Sequence, residues 1–324
     1  MRFLLGDILY HEMFHMMIKN KKILVTGGRG FLGKHLITKL KLLKPKLIRI
    51  ADRDKYDLRK IDDCLKATKN IDIVIHLAAK VGGIGFNREF PAELFDDNIL
   101  MGVNMMKAAK INKVSKYVAL GTICAYPKFT KVPFQEKALW DGYPEETNAP
   151  YGLAKKMQLV QSQAYRDQYK FNSIFLLPVN LYGPGDNFDP KSSHVIPALI
   201  KKFIDAKNNK SKKVEVWGTG KASREFLFVE DAVEGIIKAT EKYNKSDPVN
   251  LGAGFEIKIR DLVGLIKKMT GYKGKVVWDK SKPDGQPRRM LDTSKAKKEF
   301  GFSAITPFEV GLQKTIKWYA KVYH

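Results

Sequence analysis

Cysteine is nearly absent: only Cys64 and Cys124 occur in 324 residues. Two cysteines exclude a disulfide framework and a cysteine-built zinc centre, and they fit a reducing compartment. No metal site is expected. Long apolar runs are missing as well. None approaches the roughly 20 residues that a bilayer-crossing helix needs, so no membrane association is expected. The opening MRFLLGDILYHEMFHMM has no basic segment leading into a continuous apolar one, which makes it a poor secretory signal. With Met16 and Met17 directly before IKNKKILVTGG, residues 1–17 read as a doubtful appended extension, and a cytoplasmic location is expected. Acidic residues are scarce beside basic ones, 34 against 58, for a formal charge of +24. Lysines scattered over helices and loops explain most of this as solvated surface, and a phosphate-bearing substrate explains a functional remainder. No basic stripe is interleaved with aromatics, so no nucleic-acid partner is expected.

What is present is a regular alternation of short apolar runs with helical patterns, which argues for an α/β fold of the Rossmann type, a doubly wound parallel sheet. Lys22–Thr26, KILVT, runs into Gly27-Gly28-Arg29-Gly30-Phe31-Leu32-Gly33 and then a helical pattern from Lys34 to about Leu43. In that context Gly27 permits a tight turn, Gly30 lets the backbone approach a pyrophosphate, and Gly33 allows close helix–strand packing. The anion would sit at the helix N-terminus. The next strand ends at Asp52-Arg53: an acid there favours the ribose 2′-hydroxyl of NAD, an arginine the 2′-phosphate of NADP. His76, at the end of IDIVIHLAA, reads as a packed strand end, and VGGIGFN (81–87) as a glycine-rich loop free to close over a ligand. Residues 18–178 are expected to form the dinucleotide-binding domain. Residues 179–324 are expected to form mainly a smaller, mixed α/β substrate domain, with 226–243 returning to the first.

The chemistry concentrates between Gly121 and Lys155. Tyr151 and Lys155 lie four apart on a helix and so share a face. A cation beside the phenol is expected to lower its pKa and let it exchange a proton near neutrality. Thr122 offers a hydroxyl to the same carbonyl oxygen. That is an outline for carbonyl reduction.

These motifs, with LGAG at Leu251–Gly254, resemble the extended short-chain dehydrogenase/reductases. Four longer stretches, VGGIGFNREFPAEL, GTICAYPK, NLYGPGDNFDPKSSHVIPAL and WGTGKASREFLFVEDA, are similar to the GDP-L-fucose synthase family within them. The resemblance implies a GDP-sugar substrate, NADP(H), a homodimer, and catalysis by Thr122, Cys124, Tyr151, Lys155 and His194, with Cys124 as epimerisation base and His194 as acid. It further implies a cofactor contacted by Gly27, Gly30, Phe31, Leu32, Gly33, Arg53, Asp57, Leu58, Leu77, Ala78, Ala79, Pro178, Asn180 and Leu181, besides Tyr151 and Lys155. On the substrate side it implies Asn180, His194, Val195, Trp217, Arg224, Lys282 and Arg288. Where the family commonly carries Ser-Ser before the cysteine, this chain has Thr122-Ile123, which keeps a hydroxyl and leaves room for another sugar subclass. Competing readings are a related GDP-sugar reductase, an NAD-retaining 4-epimerase or dehydratase, and a non-catalytic nucleotide- or RNA-binding protein on the same scaffold.

Overall fold

The structure is a computed structural model and describes residues 18–190, 192–282 and 284–323; the expectation for residues 1–17 lies outside these. The apolar runs form strands β1 (Lys22–Thr26), β2 (Leu47–Ala51), β3 (Ile73–His76), β4 (Lys116–Leu120) and β5 (Ser173–Pro178), followed by the short β6 (Asn180–Tyr182). Between them stand α1 (Phe31–Leu42), α2 (Ile61–Thr68), α3 (Ile84–Glu89), α4 (Pro91–Ile111) and α5 (Ala149–Tyr169). The chain continues as α6 (Val195–Asn208), β7 (Lys213–Trp217), β8 (Ser223–Arg224), β9 (Phe226–Phe228), α7 (Val229–Lys242) and β10 (Val249–Leu251). It ends with β11 (Ile257–Lys258), α8 (Ile259–Thr270), β12 (Lys275–Asp279), β13 (Arg288–Arg289), α9 (Ser294–Phe300) and α10 (Phe308–Tyr323).

Six parallel strands stand in the order β2-β1-β3-β4-β5-β10. Their apolar side chains are buried on both faces, as a parallel sheet under helices requires: Leu24, Val25, Val74, Ile75, Val118 and Leu176 are fully buried. After β1 the chain steps out to β2 and then returns to β3 on β1's other side, so the strand order reverses there. A crevice outside the carboxyl ends of β1 and β3 is the expected ligand position in such a sheet.

The segment 81–87, expected as a free loop, is a correction: from Ile84 it turns into α3. The side-chain amide of Asn98 on α4 ties down the start of this segment, with Oδ1 accepting from the Lys80 N–H and Nδ2 donating to the Lys80 carbonyl.

A second core lies beyond the sheet. Phe203 of α6, Val214 and Val216 of β7, Ile266 of α8 and Leu312 of α10 belong to it, over the parallel pair β7–β12. The short strand β9 joins the two cores through strand alternation. Leu227 enters the sheet's core, while Phe226 and Phe228 enter the second. Beyond it, α7 packs on α1, and β10 extends the large sheet beside β5.

Candidate active site

The glycine loop is built around close approach. Gly27 has φ +66°, and a Cβ there would lie 2.9 Å from the Ala78 nitrogen, so the loop after β1 is pressed against the Leu77–Ala78 backbone after β3. A Cβ on Gly33 would run into the Gly27 carbonyl oxygen and the Gly28 backbone. Gly30 is the N-cap of α1, with no side-chain cap and no acidic residue in the first turn. Free N–H groups and an uncompensated positive helix end fit a pyrophosphate. The cradle therefore suits a dinucleotide, with Gly30, Phe31 and Leu32 at its lip. Asp52, which would favour a plain ribose hydroxyl, is engaged by Arg29 from within the glycine loop. Arg53 is exposed beside it. Asp57 is gripped by Arg59, whose hydrogen bond brings the carboxyl down to about 2, and Leu58 is buried below it.

At the end of β4 the Thr122 hydroxyl accepts from the Cys124 N–H at 3.2 Å and starts a single helical turn, Ile123–Ala125. Helix α5 begins against that turn: a Cβ on Gly152 would strike the Cys124 carbonyl. This glycine lets Tyr151 come down onto Thr122, whose side chain is hydrogen-bonded to the phenol. Tyr151 keeps part of its surface open. Lys155 is almost fully buried.

The expected lowering of the Tyr151 pKa by Lys155 is a correction. Burial, then the Cys124 sulfur, push the phenol above its usual range, and only the Thr122 bond opposes them. Burial in turn brings Lys155 down to about 8. Its charge acts on His76, which is fully buried, depressed first by that burial, and bonded through Nδ1 to the Thr26 hydroxyl at 2.8 Å. His76 is a packed strand end.

The two thiols differ in kind. Cys64 is fully buried, donates to the Leu58 carbonyl, and is pushed up to about 12 by burial. Cys124 is half-buried, with the Arg289 guanidinium reaching its sulfur at 3.7 Å.

His194 is the N-cap of α6 and lies exposed, while the protein around it lowers its imidazole below the usual range. A chain of contacts links its loop to the tyrosine helix. A Cβ on Gly83 would lie 2.9 Å from the Ser193 carbonyl, and Asn87 donates to Asn148 at the start of α5 at 3.2 Å. Along the neighbouring rim, Asn180 donates to the Glu225 carbonyl. The buried Glu225 carboxylate accepts from Ala253, Gly254 and Leu291, which accounts for the LGAG segment.

On the second core, Trp217 is 57% exposed at the end of β7, with the Lys282 and Lys202 ammonium groups 5.4 and 5.8 Å from its ring. Arg224 lies half-buried beside Asp284, donating to its carbonyl. Arg288 instead turns outward to Glu256. Arg29, Lys202 and Arg289 are the residues that sequence reasoning passed over. Arg29 stood in view as a variable position of the glycine loop, whereas nothing local distinguishes Arg289 from Arg288.

The glycine cradle on a doubly wound parallel sheet is that of a Rossmann-type dinucleotide-binding fold. Residues 23–252 match the NAD dependent epimerase/dehydratase family. The chain is 40% identical over 306 residues to the probable GDP-L-fucose synthase 1 of Oryza sativa subsp. japonica, covering 94% of this chain and 93% of that one. A GDP-L-fucose synthetase from Naegleria fowleri bound to NADP superposes with TM-score 0.85 at 29% identity, over 94% of this chain and 95% of that one. A GDP-6-OMe-4-keto-L-xylo-heptose reductase from C. jejuni does so with TM-score 0.87 at 26% identity, over 93% and 98%. The chain belongs to the NAD dependent epimerase/dehydratase family and, within it, to the GDP-L-fucose synthase group of NAD(P)-dependent nucleotide-sugar epimerase/reductases.

Proposed function

We propose that this chain converts GDP-4-keto-6-deoxy-D-mannose to GDP-L-fucose by 3,5-epimerisation and 4-keto reduction, with NADP(H) as cofactor. The observation that carries the reading is the placement of Thr122 and Cys124 on one turn, with Tyr151 of α5 brought down onto it through Gly152.

In a 4-keto sugar both C3 and C5 lie beside the carbonyl, so their hydrogens are acidified. Cys124 takes a proton from such a carbon, while Thr122 and Tyr151 hold the O4 oxygen as it gains enolate charge. His194 returns a proton from the opposite face; an exposed imidazole suits that exchange with solvent. In the reduction Tyr151 gives its proton to O4. A phenol pushed upward by burial is a reluctant acid but a firm donor, so it stays protonated until the oxygen needs it. Lys155 holds nicotinamide ribose hydroxyls. NADPH, when bound, supplies the hydride to C4. Arg29 and Arg53, with Asp52 neutralised, suit a 2′-phosphate. Gly27, Gly30, Gly33 and the backbone of Leu77, Ala78 and Ala79 would hold the dinucleotide, with Pro178, Asn180 and Leu181 beyond the nicotinamide. Trp217 offers a face for the guanine, and Lys282 and Arg224 offer charge for the diphosphate, with Val195 and Asn180 lining the sugar side.

A second copy of the chain would cover α4 and α5, which pack together and leave Leu100, Val103, Ile111 and Val160 exposed. A heptose-type sugar is a second reading, supported by the likeness to the GDP-6-OMe-4-keto-L-xylo-heptose reductase from C. jejuni.

The test is incubation with GDP-4-keto-6-deoxymannose and NADPH in deuterated water. Deuterium enters at C3 and C5 before reduction, and Cys124→Ser suppresses that exchange more than it weakens binding. Protium retained at both carbons would leave only a reductase.

A further inference from the structure

Arg289 is buried, 9% exposed, on β13, and stands in parallel register beside Arg224 of β8. Its Nε donates to Gln286 Oε1 at 2.6 Å, while Nη1 reaches Cys124 Sγ at 3.7 Å. Gln286, itself buried, donates to the Lys128 carbonyl in the segment that follows Cys124. The guanidinium is therefore clamped to the same loop whose sulfur it faces. Among the described residues no carboxylate pairs with it. A buried cation without an anion is unfavourable, and the neighbouring guanidinium makes matters worse: burial, then Arg289, bring Arg224 down to about 10. The other charged or titratable groups facing the sulfur are Tyr151 from α5 and Arg224 from β8, with Asp284 and Glu145 facing Arg224 in turn. Two cations thus converge on Cys124.

We infer that Arg289 is a positioning residue for epimerisation, aiming the Cys124 sulfur and setting a fixed positive charge against it while it accepts the proton; this rests on Cys124 being the base. A thiolate, not a thiol, can take a proton, and nearby arginines favour it. In the step it serves, the sulfur gains the proton from C3 or C5 and becomes a thiol. The C–H electron pair moves into the enolate, whose charge rests on O4. His194 reprotonates the carbon from the opposite face, which completes the inversion, and the thiol then passes its proton to solvent water, which returns one to His194 and so restores both groups.

Iodoacetamide alkylation of the full chain at about pH 7, without substrate, reads the anion directly, because the sulfur displaces iodide only when deprotonated. Cys64 is fully buried and does not compete. Arg289→Gln is expected to slow Cys124 alkylation about tenfold, and to slow deuterium exchange at C3 and C5 in parallel. Arg289→Lys keeps the charge without the fork and falls between. Gln286→Ala unclamps the guanidinium and slows alkylation about threefold, which decides the matter should Arg289→Gln fail to bind NADPH as a folded chain. Unchanged alkylation in the folded variants overturns the inference. A rise in KM for the GDP-sugar with unchanged alkylation assigns Arg289 to the diphosphate, which also overturns it while leaving Cys124 in its role. If Cys124→Ser itself leaves the exchange intact, it is the reading of Cys124 as base that fails.

Discussion

Around Gly27–Gly33 the surface is shaped by backbone, whereas around Trp217, Arg224 and Arg289 it is shaped by side chains. In the first region a Cβ added at Gly27, Gly30 or Gly33 meets main-chain atoms, so the tolerance there is set by covalent geometry and by the helix end. In the second, an exposed indole stands between two lysines, and two arginines lie side by side on a two-residue strand pair. The supports differ accordingly. One region rests on a six-stranded sheet buried on both faces, the other on short strands tied by buried polar groups such as Glu225. A backbone cradle reads a pyrophosphate common to all dinucleotides. A side-chain surface can be retuned residue by residue, and under the proposed function that is where sugar and base selectivity would be set.

Between the two regions sits the Thr122–Tyr151 pair, and breaking it has the largest expected effect. Tyr151→Phe is expected to lower single-turnover hydride transfer by about 10²–10⁴-fold, the usual range for a general acid, with NADPH binding retained. Near-normal turnover would remove Tyr151 from its role. On the backbone side, Gly33→Val forces a side chain into the Gly27 carbonyl; overpacking strain of about 1–3 kcal/mol should raise the Kd for NADPH by up to about a hundredfold. Fluorescence titration of NADPH checks this, and an unchanged Kd would mean that the cradle is not the pyrophosphate site. On the side-chain side, Trp217→Ala should raise KM for the GDP-sugar about tenfold, as loss of one stacked base implies, with kcat and NADPH binding unaffected. A change confined to the NADPH Kd would reverse the assignment of the two regions.

The smallest effect is in pH, and its two signs separate binding from folding. Burial holds Lys155 at about 8 in the fold, against an ordinary lysine value of 10.5. Between those values the unfolded chain binds the extra proton, so this residue's contribution makes stability rise with pH. If cofactor binding uses the ammonium, as proposed, it should instead weaken as pH rises through about 8. Lys155→Met should flatten both trends, in denaturant melts and in NADPH titrations respectively; a wild-type Kd that is flat from about pH 7 to 9.5 would contradict the assignment.

Much of the cofactor half was legible beforehand because its signals are local. A five-residue apolar run, a glycine spacing and a helical period are adjacent in the chain, and β1, the loop and α1 follow from them. Tyr151 and Lys155 were legible for the same reason, since four residues on a helix fix a shared face. Their electrostatics were not. Whether an ammonium or desolvation governs the phenol depends on what surrounds both, and here burial and the Cys124 sulfur outweigh a lysine that is itself buried beside His76. The glycine-rich 81–87 segment misled in the opposite sense: glycines permit an open loop, but Asn98 and the loop before His194 hold this one in place.

By its own order of residues the chain determined the strands, the glycine turn, the Tyr–Lys face and the inventory of chemical groups, because those depend on neighbours within a few positions. Which of two adjacent arginines turns inward, which carboxylate Arg29 neutralises, and which of two thiols stays reachable were decided only when β13, α5 and the glycine loop packed. A strand sends successive side chains to opposite faces, and only the tertiary partner says which face is the inside.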